Sequence, residues 1–425
     1  MPYLIRSILK NRGAMLLFIP MLLLYASSYF QRTAVPGTIF SQLQADLGLN
    51  AFQIAGIGAS FVYIYALSQL VVGMLADKYG GARVVTAGGI LFCAGTFIFP
   101  LLDNLCGLYF CRMLAGLGAS TMYLSLVKET DHIFGHKNYA VIMGAVYFVG
   151  YGGGLFGTLP FERLIEYFSW RSVLLGSGIL SIILYCFFLL GKRNVPASEI
   201  SGGKLSFAPF LKVVRNPYSW VILYCATVNF AIYFIIQTVF GKKFLEDFTG
   251  MSSSKAAACI FSLTCVCMAV LFTSSMISRL MRNRSKPLIL FSTALCLLNT
   301  ILMTLAIYFE FNGTVFAVCY LLYAVASGFS VIFSMSEQEV NSPDTMTQAT
   351  GFINMINYLA VAVFSILVGI LLDSFGGQQV NGAVIYSKQA YLTLFLLLMI
   401  PAATSFLASF FIPETRGKYL HHSGV

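Results

Sequence analysis

The sequence predicts an all-α membrane protein of twelve transmembrane helices in two six-helix bundles, with both termini cytoplasmic. Three observations carry that expectation. Hydrophobic residues fill 58% of the 425 positions and charged residues only 10%, where soluble domains carry about 25% charged. A soluble fold has no interior for so much apolar surface, because even chains of about 300 residues leave roughly a quarter of theirs exposed. Apolar runs of the roughly 20 residues that a helix needs to cross about 30 Å of hydrocarbon recur along the whole chain. Ordinary soluble enzymes, disordered chains and disulfide scaffolds are thereby excluded.

The runs fall near 14–39, 51–76, 84–102, 105–128, 139–159 and 172–190, then 218–240, 256–278, 287–308, 314–336, 349–372 and 389–412. These are helices 1 to 12. The first follows Arg6, Lys10 and Arg12 but is too long for a signal-peptide core, so it reads as a spanning helix. The polar interval from Gly191 to Pro217 holds Lys192, Arg193, Lys204, Lys212 and Arg215. It divides the chain into an N-terminal bundle (1–190), a cytoplasmic linker (191–216) and a C-terminal bundle with a short tail (217–425). Basic residues set the orientation. Eighteen lie in the termini and the connections on their side, against six on the opposite face. The net charge of +10 is therefore mostly membrane topology, and no nucleic-acid partner is expected. The ten cysteines lie mainly in apolar runs without a CxxC pair and read as small packing residues. No GxxxxGK[ST] loop occurs, and no metal, cofactor or catalytic constellation is expected.

Between helices 2 and 3 stands Gly73-Met-Leu-Ala-Asp77-Lys78-Tyr-Gly80-Gly81-Ala-Arg83. Its physical logic is close helix approach at Gly73 and a charge at Asp77 beside neighbouring helix ends. Helix 4 carries Arg112-Met-Leu-Ala-Gly116-Leu-Gly118, Ser169-Trp170-Arg171 precedes helix 6, and Pro413-Glu414-Thr415-Arg416-Gly417 follows helix 12. These motifs resemble the hallmarks of the major facilitator superfamily, closest to its bacterial organic-anion and sugar-phosphate permeases. The copy after helix 8 has Arg279 where the pattern expects an acid. Helix 5 has Gly150-Tyr-Gly-Gly-Gly154 but lacks the Gly-Pro step of the antiporters. The resemblance implies two bundles rocking around a cavity lined by helices 1, 4, 7 and 10, with helices 3, 6, 9 and 12 towards lipid. It assigns a gating role to Gly73, Asp77, Lys78, Gly80 and Arg83.

Tyr25, Tyr29 and Arg32 lie at i, i+4 and i+7 on one face of helix 1. A membrane Arg costs about 2.5–3.5 kcal/mol on insertion scales and usually faces the bundle interior or water, where its planar fork suits a carboxylate or phosphate. The alternatives are snorkelling to the outer interface or pairing with Asp46. Gln31 stands where the anion-handling families often place an acid. Arg112 shares its helical face with Tyr123, in a structural or a ligand role, and Lys128 ends helix 4 as a solvated terminus. Asn229, Tyr233 and Gln237 form a polar stripe on helix 7, open to ligand contact or to helix–helix hydrogen bonding. Asn354, Asn357 and Tyr358 on helix 11 carry the same two readings. Glu337 and Glu339 close helix 10. Glu337 is the candidate for proton coupling, against an exposed or arginine-paired carboxylate.

A positive N-terminal half (Arg32, Arg112, Lys128) opposite neutral polar stripes points to a secondary-active transporter. Its solute would be a small organic anion or zwitterion, such as a carboxylate, sugar acid or amino-acid-like compound, with protons as a coupling ion. Bilayer lipid and solute are the expected partners, a monomer the expected unit, and a bacterial inner membrane the expected location. Efflux of amphipathic or aromatic compounds is the alternative within transport, and a transporter-like membrane sensor the alternative outside it.

Overall fold

The computed structural model describes residues 12–134, 136–193, 208–342, 346–380 and 382–420. Twelve helices are long and apolar enough to cross a membrane. By contacts the chain divides into two units, Met1–Ala34 with Ser60–Leu205 and Val35–Ala59 with Ser206–Val425. Residues 35–59 thus fold with the second unit although they precede most of the first.

The first unit is built from helix 1 (Gly13–Thr38) as far as Ala34, helix 2 (Ala51–Ala76) from Ser60 onward, helix 3 (Gly81–Leu101), helix 4 (Leu105–Phe134), helix 5 (Ile142–Ile165) and helix 6 (Trp170–Lys192). Apolar side chains gain little by leaving lipid, so helices join through small residues and hydrogen bonds. Helix 1 follows that rule on two faces. Ser27 Oγ lies 2.8 Å from Ser181 Oγ, and Gln31 Nε2 donates to Ser177 Oγ at 3.0 Å, both on helix 6. Towards helix 5, a Cβ at Gly153 would stand 2.0 Å from the Ala26 carbonyl oxygen, and one at Gly157 2.9 Å from that of Phe30. The glycine run of helix 5 is thus a packing seam for helix 1.

Helices 3 and 4 meet through glycines seven residues apart. A Cβ at Gly81 would lie 2.6 Å from the Ser125 carbonyl oxygen, one at Gly88 2.1 Å from Thr121 Oγ1, and one at Gly95 2.5 Å from the Cys111 carbonyl oxygen. Helix 4 returns the approach at Gly116, where a Cβ would stand 2.3 Å from the Phe61 carbonyl oxygen of helix 2. The buried Glu129 carboxylate accepts the Ala82 amide at 2.8 Å, satisfying an orphan donor of helix 3 with charge of the favourable sign. The close approach expected at Gly73 is not found. A Cβ there would meet only Leu124 Cδ1, at an ordinary 3.6 Å, and the tight crossing sits at Gly81. Arg171 braces helix 6 to the end of helix 3, donating to the carbonyls of Pro100 and Leu102 and to Asp103 while lying over the Trp170 ring. Helix 6 is the least buried of the twelve at 22%, followed by helix 12 at 33%, the proportions expected of lipid-facing helices. Helix 3, at 56%, is instead packed against helix 4.

The second unit holds helix 7 (Pro217–Thr249), helix 8 (Ser253–Leu280), helix 9 (Lys286–Tyr308), helix 10 (Gly313–Val340), helix 11 (Ala349–Phe375) and helix 12 (Lys388–Ser409). Helix 7 passes through a π-type turn at Ile236–Phe240. An antiparallel hairpin, β1 (Gly377–Val380) and β2 (Ala383–Tyr386), joins helices 11 and 12 where an all-α chain was expected. The end of the unit that carries this hairpin binds residues 35–59. Asn50 and Gln53 form a reciprocal capping box at the start of helix 2. The Asp373 carboxylate takes the next two donors, the amides of Ala51 at 2.9 Å and Phe52 at 2.7 Å. Gln44 donates to the Tyr386 hydroxyl and accepts from the Val384 amide, and Lys242 Nζ donates to the Thr38 carbonyl at 2.6 Å. Burial first, and the charge of Asp373 second, hold the Tyr386 phenol well above its ordinary pKa, so its hydroxyl stays neutral in this contact. The buried Lys243–Asp247 pair, at 2.8 Å, is completed by the Tyr391 hydroxyl and the Tyr386 amide, both donating to Asp247.

Two outcomes check this packing. Gly116→Ala costs about 1–3 kcal/mol through overpacking against the Phe61 backbone. Gly73→Ala, in a helix interior with room for a methyl, is neutral or stabilising by up to about 1 kcal/mol; thermal unfolding of the purified proteins ranks them. Asp373→Ala, which strips two amides of their acceptor, lowers stability by about 1–2 kcal/mol. It also speeds hydrogen exchange selectively at residues 51–52, measured by mass spectrometry.

Candidate functional site

Within the first unit, side chains from helices 1, 2, 4 and 5 converge on two arginines. Arg32 is 2% exposed, which excludes snorkelling. Its guanidinium carbon lies 4.6 Å from the Tyr29 ring centre, 4.5 Å from that of Tyr65 and 5.8 Å from that of Phe61. Desolvated cation–π contacts are worth about 2 kcal/mol or more. Two such contacts offset the roughly 2.5–3.5 kcal/mol that a membrane arginine costs, so the charge can be held among rings. Arg112, also 2% exposed, lies 4.5 Å from the Phe61 ring centre and donates to the Gln31 carbonyl at 3.2 Å. That bond ties helix 4 to helix 1. Gln31 itself points to Ser177 of helix 6.

Phenols surround this pair. Tyr25 stacks on Tyr123 at 5.8 Å, Tyr29 meets Tyr25 edge-on at 5.1 Å, and Tyr151 packs on Tyr29 at 5.3 Å. The Tyr123 and Tyr147 hydroxyls lie 2.5 Å apart, and Tyr25 donates to the Tyr29 hydroxyl at 3.4 Å. All five first-half candidates, Tyr25, Tyr29, Arg32, Arg112 and Tyr123, belong to one cluster. Sequence reasoning missed Phe61 and Tyr65 on helix 2 and Tyr147 and Tyr151 on helix 5. Each pair is an i, i+4 aromatic repeat on a membrane helix, a signal that was present. Lys128 is half-buried at the end of helix 4.

In the second unit the helix 7 stripe faces its own bundle. Asn229 donates to Ser292 of helix 9 and Gln237 to Thr264 of helix 8, with Tyr233 buried between them on the same face. In this structure Asn229 and Gln237 thus bond helix 7 to helices 9 and 8. The adjoining face, towards helix 11, carries Phe230 and Phe234, whose rings meet Tyr358 edge-on at 5.2 and 5.7 Å. Beside them Asn357 accepts from Thr227 at 2.8 Å, and Asn354 is half-buried. Of the second-half candidates, Tyr358 and Asn354 remain together with Phe230, which the sequence reading did not single out.

Glu337 departs from the expected exposed or arginine-paired carboxylate. It is fully buried, and Asn341 donates to its Oε1 at 3.2 Å and to Ser219 Oγ at 2.8 Å. Glu337 Oε2 has no hydrogen-bond partner among the described residues. A long-range contact accompanies this burial: Asn216, the cap of helix 7, donates to Asn341 Oδ1 and to the Val340 carbonyl at the end of helix 10. Glu339 is taken instead by the tail, accepting from Thr415, while Glu414 accepts the Ser285 amide. Around the helix 2–3 connection, Gly80 adopts φ 86° and Arg83 donates to the Tyr79 carbonyl, while Lys78 lies 5.4 Å from the Tyr79 ring centre. The Asp77 side chain lies outside the described residues.

The family model described as Major Facilitator Superfamily matches residues 21–365. The human (Homo sapiens) voltage-gated purine nucleotide uniporter SLC17A9 is 25% identical over 245 residues, 52% of this chain and 53% of that protein. The riboflavin transporter RibZ of Clostridioides difficile is 29% identical over 153 residues, 35% of this chain and 33% of its own. The chain thus spans about half or less of the length of these curated relatives. A crystal structure of a bacterial homologue of the human lysosomal transporter Spinster, inward-facing and unoccupied, superposes with a TM-score of 0.76 at 17% identity. It covers 94% of this chain and 98% of that one, a likeness of fold.

The network under Glu337 makes its own prediction. Asn341→Ala removes the donor that serves Glu337 and Ser219 and leaves buried acceptors unmatched, a loss of about 1–3 kcal/mol. A melting curve of the variant superimposable on that of the native protein would overturn this account.

Proposed function

The chain belongs to the Major Facilitator Superfamily, and we propose on that footing that it is a secondary-active transporter. It moves a small organic anion or zwitterion across its membrane by alternating access. The observation that carries the anion is Arg32, a buried cation whose guanidinium carbon lies 4.6 Å from the Tyr29 ring centre and 4.5 Å from that of Tyr65, within a phenol-lined cluster. An Arg–carboxylate contact in such surroundings is directional and bidentate. The cargo of the human relative, a purine nucleotide, is also an anion. Arg32 binds the solute in this reading, Arg112 holds helix 4 to helix 1 through the Gln31 carbonyl, and Tyr29 and Tyr123 shape the wall on the first unit. The residues from Gly73 to Arg83 act in the conformational cycle.

Coupling to protons falls to Glu337. A carboxyl at membrane depth with one oxygen held by Asn341 can change its protonation without losing an ion-pair partner, and intramembrane acids commonly serve as such relays. A monomer in a bacterial inner membrane, termini in the cytoplasm, is the setting that the short connections and the basic loops favour. Export of amphipathic aromatic compounds is the second reading, favoured by the ring content of both units.

Uptake into proteoliposomes tests the proposal with anionic, zwitterionic and neutral solutes. Anions are expected to move, and Arg32→Ala to lose at least about tenfold in uptake, the value of one charge-assisted contact. Transport of neutral or cationic solutes alone, undiminished in Arg32→Ala, would sink the anion assignment. An imposed pH gradient is expected to accelerate uptake by the native protein and not by Glu337→Gln. Fluxes indifferent to the gradient in both leave a uniporter or exchanger.

A further inference from the structure

We infer that the first unit binds one anionic phospholipid in a groove between helices 2, 3 and 4, with its phosphate at Arg83. The inference is independent of which solute the protein carries.

The groove has a volume of about 640 Å³. Its walls are Leu67, Val71 and Leu75 of helix 2, Ala87 and Leu91 of helix 3, and Leu117 of helix 4. Leu67 and Val71 are 56% and 50% exposed, so the trough opens outward along helix 2. Two hydroxyls in the lining are turned back on their own helices. Ser68 donates to the Ile64 carbonyl at 2.6 Å, and Thr121 to that of Gly118 at 2.7 Å. Along its length the trough therefore offers aliphatic surface, which suits hydrocarbon. From Leu67 to Tyr79 the lining follows one continuous helix, a run of about 18 Å at 1.5 Å per residue. One leaflet of the hydrocarbon core is about 15 Å deep, so a single acyl chain matches that length.

Tyr79 and Arg83 stand at one end of the groove. The apolar span of helix 2 ends at Ala76 and that of helix 3 begins at Gly81. Tyr79, between them, is 38% exposed, and tyrosines of membrane helices settle at the level of the lipid headgroups. Arg83 Nη1 donates to the Tyr79 carbonyl at 3.1 Å, which holds the guanidinium at the mouth by one of its five N–H groups. Lys78 Nζ lies 5.4 Å from the Tyr79 ring centre. Lys192 Nζ donates at 2.7 Å to the hydroxyl of Thr86, one turn along helix 3 from Arg83. Glu129, a helix 4 carboxylate at this end, is taken by the Ala82 amide. An arginine fork with lysines on either hand suits a phosphodiester, and basic pockets between membrane helices are where anionic headgroups bind. A cationic mouth on an apolar trough one leaflet deep has the two-part shape of a phospholipid. Free phosphate would use the mouth alone.

Tryptophan fluorescence in vesicles tests this. Val71→Trp places an indole in the groove, and Val363→Trp, at a 44% exposed position on helix 11, is the reference. The native protein, with Trp170 and Trp220, supplies the background to subtract. Each full-length protein is reconstituted in phosphatidylcholine with rising fractions of a chain-brominated lipid, either phosphatidylglycerol or phosphatidylcholine. In Val71→Trp, brominated phosphatidylglycerol is expected to reach half-maximal quenching at about five- to tenfold lower mole fraction than brominated phosphatidylcholine. In Val363→Trp the two lipids quench alike. Adding Arg83→Gln to Val71→Trp brings the ratio towards one, while Arg83→Lys, which keeps the charge, retains part of the preference. If Val71→Trp does not fold, Leu67→Trp takes its place. Equal quenching by the two lipids in the groove overturns the inference, and so does a preference that Arg83→Gln leaves intact. Absence of quenching there overturns it too, because protein rather than lipid then covers the groove.

Discussion

In the hydrocarbon core no water is available to any polar group, and each must find its partner inside the protein. The arrangement of this chain follows from that constraint. Carboxylates are placed at helix starts, where amides lack partners: Glu129 on helix 3, Asp373 on helix 2 and Glu414 on helix 9. Serines and glutamines bond between helices that glycines have already brought close, as Ser27 and Gln31 do for helices 1 and 6. Even the arginine that looks most like a binding residue is first a burial problem, solved by rings on its faces.

The two units solve the problem differently, and the difference has functional weight. The first concentrates cationic charge and phenols on helices 1, 2, 4 and 5. The second turns the amides of helix 7 towards helices 8 and 9 and leaves an aromatic face beside helix 11. A buried cation among rings marks the first, and amide bonding between helices the second.

The twelve spans were legible in the sequence because hydrocarbon thickness imposes a length and composition that few other structures satisfy. The cluster around Arg32 was half legible. Spacing put Tyr25, Tyr29 and Arg32 on one face, yet periodicity within helix 1 cannot say which neighbour supplies Tyr65. The helix 7 stripe shows the opposite limit. Asn229, Tyr233 and Gln237 share a face by spacing alone, but polar residues that line a cavity and those that bond two helices have the same period. Gly73 failed for a related reason: a motif glycine marks a place where small size is tolerated, and only the neighbouring backbone shows that Gly81 needs it. Glu337 was misjudged because its surroundings include Asn341, which is held in turn by Asn216, 125 residues from Asn341, a pairing that no local pattern encodes. The hairpin between helices 11 and 12 carried its own signal, an Asn-Gly dipeptide between alternating residues, hidden by the expectation of a wholly helical chain.

The membership of residues 35–59 in the second unit sets an order of events during synthesis. The first helical hairpin leaves the ribosome early, but groups that satisfy one end of it lie far downstream. Asp373 follows Ala51 by 322 residues, and Tyr386 follows Gln44 by 342. At about 5–20 residues per second, the start of helix 2 waits roughly 15–65 s for its carboxylate. Over that interval the capping box serves the amides of Asn50 and Gln53 from within the segment itself, while those of Ala51 and Phe52 await Asp373. The start of this helix is thus completed in two stages, one written into its own sequence and one supplied by chain made much later.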